Sequence, residues 1–327
     1  MRYTCPQGDN AITFFFPYPD KEKVHVSGDF NGWEEPGWPL YKVEEGWELR
    51  TAPLPPGDYG YKFHADGEWF RDPHNALSGD DGFGGMKSII HVGAEKGSLH
   101  HFTFYCPALG TDRGYLIYLP PYYFYTPKRH STLYLMHGAQ DWEWAWLEKA
   151  SLNGIMDALI HEGLIGEFIV VMARENGDLF KGDHRYGSAI AQNLLGHIDF
   201  EFRTIPSKFH RGIDGIATGG YNAFYLGALY HDRYSSVGAM SAYFTEFSYE
   251  LIRENQEYLR RNDVRFFLSC GQSDSLKDSV RDMAFTLGQL GFYVEHYENP
   301  GHHDWDYWKL NYTGALQFHW WSFQRFA

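Results

Sequence analysis

Between His210 and Asp232 the chain reads HRGIDGIATGGYNAFYLGALYHD, an apolar strand, a bend with glycine on either side, and then a helix-forming run. Glycines at 215 and 219 around Ile216-Ala217-Thr218 are what a very sharp strand-to-helix turn demands, since a strained residue at its centre leaves no space for neighbouring Cβ atoms. Such a turn is made at the carboxyl end of a strand in a sheet whose crossovers are helices, so this one segment commits the surrounding chain to a βα alternation. The rest of that region agrees. HFTFYC (101–106), GYLIYL (114–119), TLYLMH (132–137), EFIVVMA (167–173), RGIDGI (211–216), VGAMSA (237–242), VRFFLSC (264–270) and YVEHYE (293–298) read as strands, mostly without polar alternation, as strands covered on both faces should. Leu152, Ile155, Met156, Leu159 and Ile160 form one helical stripe between them, and Val280, Met283, Leu287 and Leu290 another. The expectation is an α/β fold with a mostly parallel sheet and helices on both faces.

The first third of the chain follows a different period. From Ala11 to Val92, KVHVSG (23–28), WELRT (47–51), YGYKF (59–63) and SIIHV (88–92) are short alternating strands separated by PPGDYG and DGE turns, and no helix fits. That spacing predicts a small immunoglobulin-like antiparallel β-sandwich. GAEKGSLH (93–100) has the composition of a linker, which places a boundary near Lys96 and divides the 327 residues into a sandwich over 1–96 and an α/β domain over 97–327.

The bend carries the chemical question. In α/β-hydrolases the same turn reads G-x-S-x-G and presents a nucleophilic serine; here it reads Gly215-Ile216-Ala217-Thr218-Gly219, so a methyl group stands at the nucleophile position. Downstream, in the chain order those enzymes use, Asp274 follows a strand in SCGQSDSL and His303 follows the last strand in NPGHHDWDYW. A buried aspartate accepting from one imidazole nitrogen fixes the tautomer and leaves the other nitrogen to take a proton. Ala217 offers none. Upstream, the His137-Gly138-Ala139-Gln140 loop sits where an oxyanion-hole amide belongs, Ala139 supplying one donor and Thr218, the residue after the nucleophile position, the other.

On YLMHGAQDWEW, EFIVVM, FRTIPSKFHRGIDGIATGGYNAFYLG, FFLSCGQSD and PGHHDWDYW, residues 101–327 resemble the esterase family that includes feruloyl and acetyl-xylan esterases, esterase D and enterochelin esterase. The resemblance implies a carbohydrate-linked carboxylic ester as substrate, with Ala217, Asp274 and His303 at the nucleophile, acid and base positions. On VSGDFNGW (26–33), LPPGDYGYKFHADGEWFRDP (54–73) and SIIHV, residues 11–92 resemble the glycogen-binding modules of the AMP-activated kinase β-subunit and of branching and debranching enzymes. That resemblance implies ring platforms for a glucan at Trp33 and Trp69, assisted by Lys62. Where the family carries asparagine, this chain reads Met86-Lys87-Ser88.

Charge narrows the partners. A net charge of −14 opposes nucleic acid and anionic membranes, and disfavours strongly anionic small substrates such as ferric siderophores, whereas neutral sugars and small esters fit, α-glucan or xylan among them. Aromatic residues at 18%, with 11 Trp and 24 Tyr, supply rings of the kind sugar sites use as flat platforms. Three widely spaced cysteines (Cys5, Cys106, Cys270) make no disulfide framework, His302 and His303 lack further ligands for a metal, and the triad chemistry calls for no cofactor. MRYTCPQGDN has neither the basic start nor the apolar stretch of a secretory signal, and the expected compartment is the cytoplasm. The expected function is thus an ester-hydrolase scaffold nearly inert as written. The alternatives are a pseudoesterase that binds carbohydrate or another partner, and an enterochelin-type esterase.

Overall fold

The computed structural model describes residues 3–325 other than 8, 76, 94 and 175–183; Ala94, within the expected linker, therefore lies outside the described residues. The chain forms two compact units, Met1–Ser98 with Pro121–Lys128, and Leu99–Pro120 with Arg129–Ala327. The return of Pro121–Lys128 to the first unit has no counterpart in the single boundary expected near Lys96.

The first unit holds two antiparallel sheets. One has four strands in the order Cys5–Pro6, Ile12–Phe16, Gly46–Arg50, Tyr41–Val43. The other runs Trp38–Pro39, Val24–Gly28, Gly57–Ala65, Met86–Val92, Ser78–Asp80, with Glu68–Phe70 also paired to Gly57–Ala65. Alternation decides which side chains go inward. Along Gly57–Ala65, Tyr61, Phe63 and Ala65 are fully buried, which turns Gly60, Lys62 and His64 to the other face. Phe14 and Phe16 of the first sheet meet Tyr61 and Phe63 of the second at ring separations of 5.0 and 4.9 Å. Burial of each such ring contributes roughly 1.5–3 kcal/mol.

The second unit is built on eight strands: β1 (Ser98–Cys106), β2 (Thr111–Leu119), β3 (Ser131–Met136), β4 (Phe168–Ala173), β5 (Arg211–Gly215), β6 (Ser236–Met240), β7 (Arg265–Gly271) and β8 (Val294–Asn299). They lie in the order β1-β2-β4-β3-β5-β6-β7-β8. β2 is antiparallel to β4, and from β4 onward every pairing is parallel. Every residue of β3, β4, β5 and β6 is buried, which is why these strands lack the alternation of a sheet with one wet face. The helices are α1 (Ala145–Ala150), α2 (Leu152–His161), α3 (His184–Ser188), α4 (Leu195–Glu201), α5 (Thr218–Leu229), α6 (Glu246–Arg261), α7 (Lys277–Gln289) and α8 (Trp305–Gln324). α1, α2 and α8 share a core with Leu133 and Leu135 of β3 and Phe168, Val170 and Met172 of β4. The intervening Tyr134, Ile169 and Val171 are equally buried on the opposite face. No helix among the described residues is long and apolar enough to cross a membrane.

The strand order fixes where a ligand can enter. β3 and β5 are neighbours, with Met136 opposite Gly215, yet the chain leaves β3 for β4 on one side and β5 for β6 on the other. The loops at their carboxyl ends diverge and open a crevice there.

Candidate active site

The bend after β5 is as sharp as its glycines suggest. Ala217 takes φ 51°, ψ −119° immediately before α5, a region that costs a non-glycine residue about 1–3 kcal/mol. The surroundings hold it there: its amide donates to Met240 O at the end of β6 at 2.9 Å. A Cβ on Gly215 would lie 2.4 Å from Gly219 O, and one on Gly219 would lie 2.3 Å from His137 O. Both obstacles are backbone and have nowhere to go.

Asp274 follows β7, and its side chain is wholly buried while that of His303 is 37% exposed. The carboxylate accepts from the Leu276 amide and from His303 Nδ1, each at 2.9 Å. A carboxylate can only accept, so Nδ1 carries the ring proton and Nε2 keeps its lone pair. Among the described residues His303 has no second hydrogen bond, and no hydroxyl stands against it. Burial pushes the Asp274 carboxyl up, but the Leu276 amide, the Ser241 hydroxyl and His303 together outweigh it and hold it below the usual 3.8. A depressed folded-state pKa stabilises the fold above the ordinary carboxylate range and is lost as pH falls through the folded value. The unfolding free energy is therefore expected to drop as the solution is acidified below about pH 4, and Asp274→Asn to make that drop shallower in chemical denaturation across pH 2–6. An unchanged pH slope in the variant would count against the assigned contacts.

Ala217, Thr218, Ala139 and His303 line one cleft of about 490 Å³, with Trp305 and Trp308 as its aromatic wall. Thr218 is the first residue of α5, so its amide has no intrahelical acceptor; among the described residues neither it nor the Ala139 amide donates to the protein. Two free amides beside the bend are what an oxyanion requires. Asp141 anchors the Ala139 loop, accepting from the Lys149 ammonium and, at 3.2 Å, from Trp305 Nε1. Asp304 caps α8 through the Tyr307 amide at 2.9 Å. Trp142, Trp144 and Trp146 follow the Ala139 loop closely in the chain. Trp146 is fully buried in the core and Trp142 is 42% exposed, while Trp144 packs on His101 at 5.1 Å; none lines this cleft. Trp305 and Trp308, which do, were visible only as part of the PGHHDWDYW motif.

In the sandwich unit, Lys62 lies on Gly57–Ala65, Trp69 packs beside its His64, and Trp33 connects through Asp29 to its Gly60. Trp33 is half-buried and outside the core; its Nε1 donates to Asp29 at 2.7 Å, and Asp29 accepts the Gly60 amide at 2.6 Å. Trp69 is 41% exposed and leans on His64 at 4.8 Å. Lys62 is not free, since it pairs with Asp81 at 2.5 Å. Lys87 lies 5.6 Å from the Trp33 ring. Both indoles are thus held by neighbouring side chains, Trp33 through Asp29 and Trp69 against His64.

Both units resemble known proteins. Residues 12–98 match the family described as the glycogen recognition site of AMP-activated protein kinase. An endo-1,4-beta-xylanase/feruloyl esterase of Xylanibacter ruminicola is 29% identical over 252 residues, 67% of this chain but 33% of that protein; the chain spans about a third of its length. Among solved structures, a ferulic acid esterase superposes with TM-score 0.61 at 24% identity over 69% of this chain and 99% of its own. The enterobactin esterase of Shigella flexneri superposes with TM-score 0.56 at 14% identity over 97% of this chain and 94% of its own. Residues 106–319, which carry the bend, Asp274 and His303, match the family described as "Putative esterase", and the chain belongs to that esterase family.

Proposed function

We propose that this protein binds carbohydrate-linked carboxylic esters in the cleft at Ala217 and, lacking a hydroxyl there, retains them almost without turnover, while the sandwich unit engages the polysaccharide. The observation that carries this reading is the strained bend at residue 217 kept together with an intact His303–Asp274 pair. In a complete site, His303 Nε2 takes the proton of the attacking hydroxyl as oxygen bonds to the ester carbon. The Ala139 and Thr218 amides hold the oxyanion, and the imidazolium returns the proton to the departing alkoxide, leaving an acyl-enzyme for water to cleave. With a methyl at 217 only the binding half of that sequence remains. The names feruloyl esterase and ferulic acid esterase borne by relatives support a hydroxycinnamoyl ester.

Calorimetry with a feruloylated xylo-oligosaccharide is expected to give saturable binding to the protein as written, with the ester intact afterwards. Failure to bind any feruloyl or acetyl ester sinks the reading. For the sandwich unit, affinity electrophoresis in glycogen, starch and xylan is expected to retard the protein, and Trp33→Ala with Trp69→Ala to abolish the retardation. No retardation in any of the three removes the polysaccharide role.

A second reading, an enterochelin-type esterase, is favoured by the fold match that spans both units. Against it stand the net charge of −14 and a cleft whose Lys149 is already neutralised by Asp141. A ferric tricatecholate that binds more tightly than the feruloyl ester would reverse the preference.

A further inference from the structure

Behind the bend lies a second serine, histidine and aspartate set that the chemistry above does not use. His319 Nε2 meets Asp214 Oδ2 at 3.0 Å, and Ser236 Oγ meets His319 Nδ1 at 2.8 Å. Asp214 Oδ1 accepts the Gly215 amide at 2.6 Å. All three side chains are 0% exposed, so no substrate reaches them and they are not a second catalytic centre.

Their location gives them another use. Asp214 is on β5, three residues before Ala217. Ser236 opens β6, whose last residue, Met240, accepts the Ala217 amide. His319 is on α8, the helix that starts directly after the His303 loop. The set thus ties together the strand that ends in the bend, the strand that accepts the bend's amide, and the helix that follows the base. Two glycines make the room: a Cβ on Gly238 would lie 2.1 Å from Asp214 Cγ, and one on Gly212 would lie 2.6 Å from His319 Nδ1. A buried carboxylate is expensive unless fully bonded, and a bonded network in a dry interior is stiff and geometrically specific.

We propose that Asp214, His319 and Ser236 are positioning residues that hold residue 217 in register with His303; the proposal rests on the ester-cleft reading above. The test uses two backgrounds. In Ala217→Ser protein, Asp214→Asn is expected to lower kcat by on the order of 100-fold while KM stays within about twofold. In Ala217→Cys protein, alkylation of the introduced thiol by iodoacetamide at pH 7 is expected to slow by on the order of tenfold when Asp214→Asn is added, because the thiolate loses its aligned imidazole partner. Buried Cys106 and Cys270 serve as internal controls by peptide mapping and are expected to stay unlabelled. Rescue of both readouts by Asp214→Glu, or their persistence in Ser236→Ala at smaller amplitude, strengthens the assignment.

If kcat and alkylation are unchanged in a folded Asp214→Asn protein, the proposal is wrong. Should Asp214→Asn expose Cys106 and Cys270, Ser236→Ala decides, and a normal kcat and alkylation rate there overturns it. An Ala217→Ser protein inactive on every ester, combined with slowed alkylation in the thiol series, leaves the positioning set standing and removes the ester reading instead.

Discussion

Replacing Ala217 with serine is expected to raise turnover of a p-nitrophenyl or feruloyl ester by on the order of 10⁶, the factor that loss of the nucleophile costs a serine hydrolase. The size follows from what is already in place. The His303–Asp274 pair at 2.9 Å, the unengaged Ala139 and Thr218 amides, and the bend at φ 51°, ψ −119° need no rearrangement, and the added atom is a single oxygen on an existing Cβ. Adding His303→Ala to Ala217→Ser is expected to remove nearly all of the gain, since members of a triad act as a unit. The unaltered protein is expected to retain only the roughly 10³-fold advantage over water that binding and oxyanion donors give. Steady-state kinetics with an active-site titration of acyl-enzyme measures all three. An Ala217→Ser protein with a correct circular dichroism spectrum and no burst would mean that the cleft does not hold an ester carbonyl against the bend.

Gly219→Ala is expected to cost about 3 kcal/mol or more, at the upper end of what overpacking does. The added methyl would stand 2.3 Å from His137 O and 2.6 Å from Met136 O, both backbone atoms at the end of β3, so relief requires α5 to move away from the sheet. Gly288, on α7, has nothing within 4 Å of a Cβ, and Gly288→Ala is the matched control, expected to be neutral or slightly stabilising because alanine favours helix. Urea denaturation reads the difference as a lower midpoint with unchanged slope. A Gly219→Ala midpoint equal to that of Gly288→Ala would show that the bend tolerates a side chain there.

Which parts could be read before folding follows from the range of the interactions involved. The bend, the Asp274 and His303 loops and the sandwich tryptophans sit in short motifs whose spacing encodes their geometry, and the strands β3 to β7 declare themselves by being covered on both faces. α8 did not declare itself. Trp305, Tyr307, Trp308, Tyr312, Phe318, Trp320, Trp321 and Phe323 are scattered around it, mixed with Asp306, Lys309 and Gln317, so a helical period finds little contrast between its sides. α6, by contrast, sets Ser248, Leu251, Ile252 and Leu259 at helical spacing along an otherwise polar segment, so its period was present in the sequence. The Asp214, His319 and Ser236 set is invisible for a different reason: 105 residues separate the aspartate from the histidine, and only the sheet order brings them together. Lys62 was legible as a residue but not as a state, because its partner Asp81 comes from a turn 19 residues on.

The path of the chain through its two units carries a practical consequence. A polypeptide that departs at Ser98 and comes back over Pro121–Lys128 cannot be separated into halves by one scission. Ending it at residue 98 deletes Tyr125, whose hydroxyl accepts the Gly93 amide at 2.8 Å, and strips the remaining fragment of a piece of its own wall. Swapping the front module for another binding domain, in the laboratory or by recombination, would require two splice points and a matching eight-residue patch, which makes this pairing far harder to reshuffle than beads on a string.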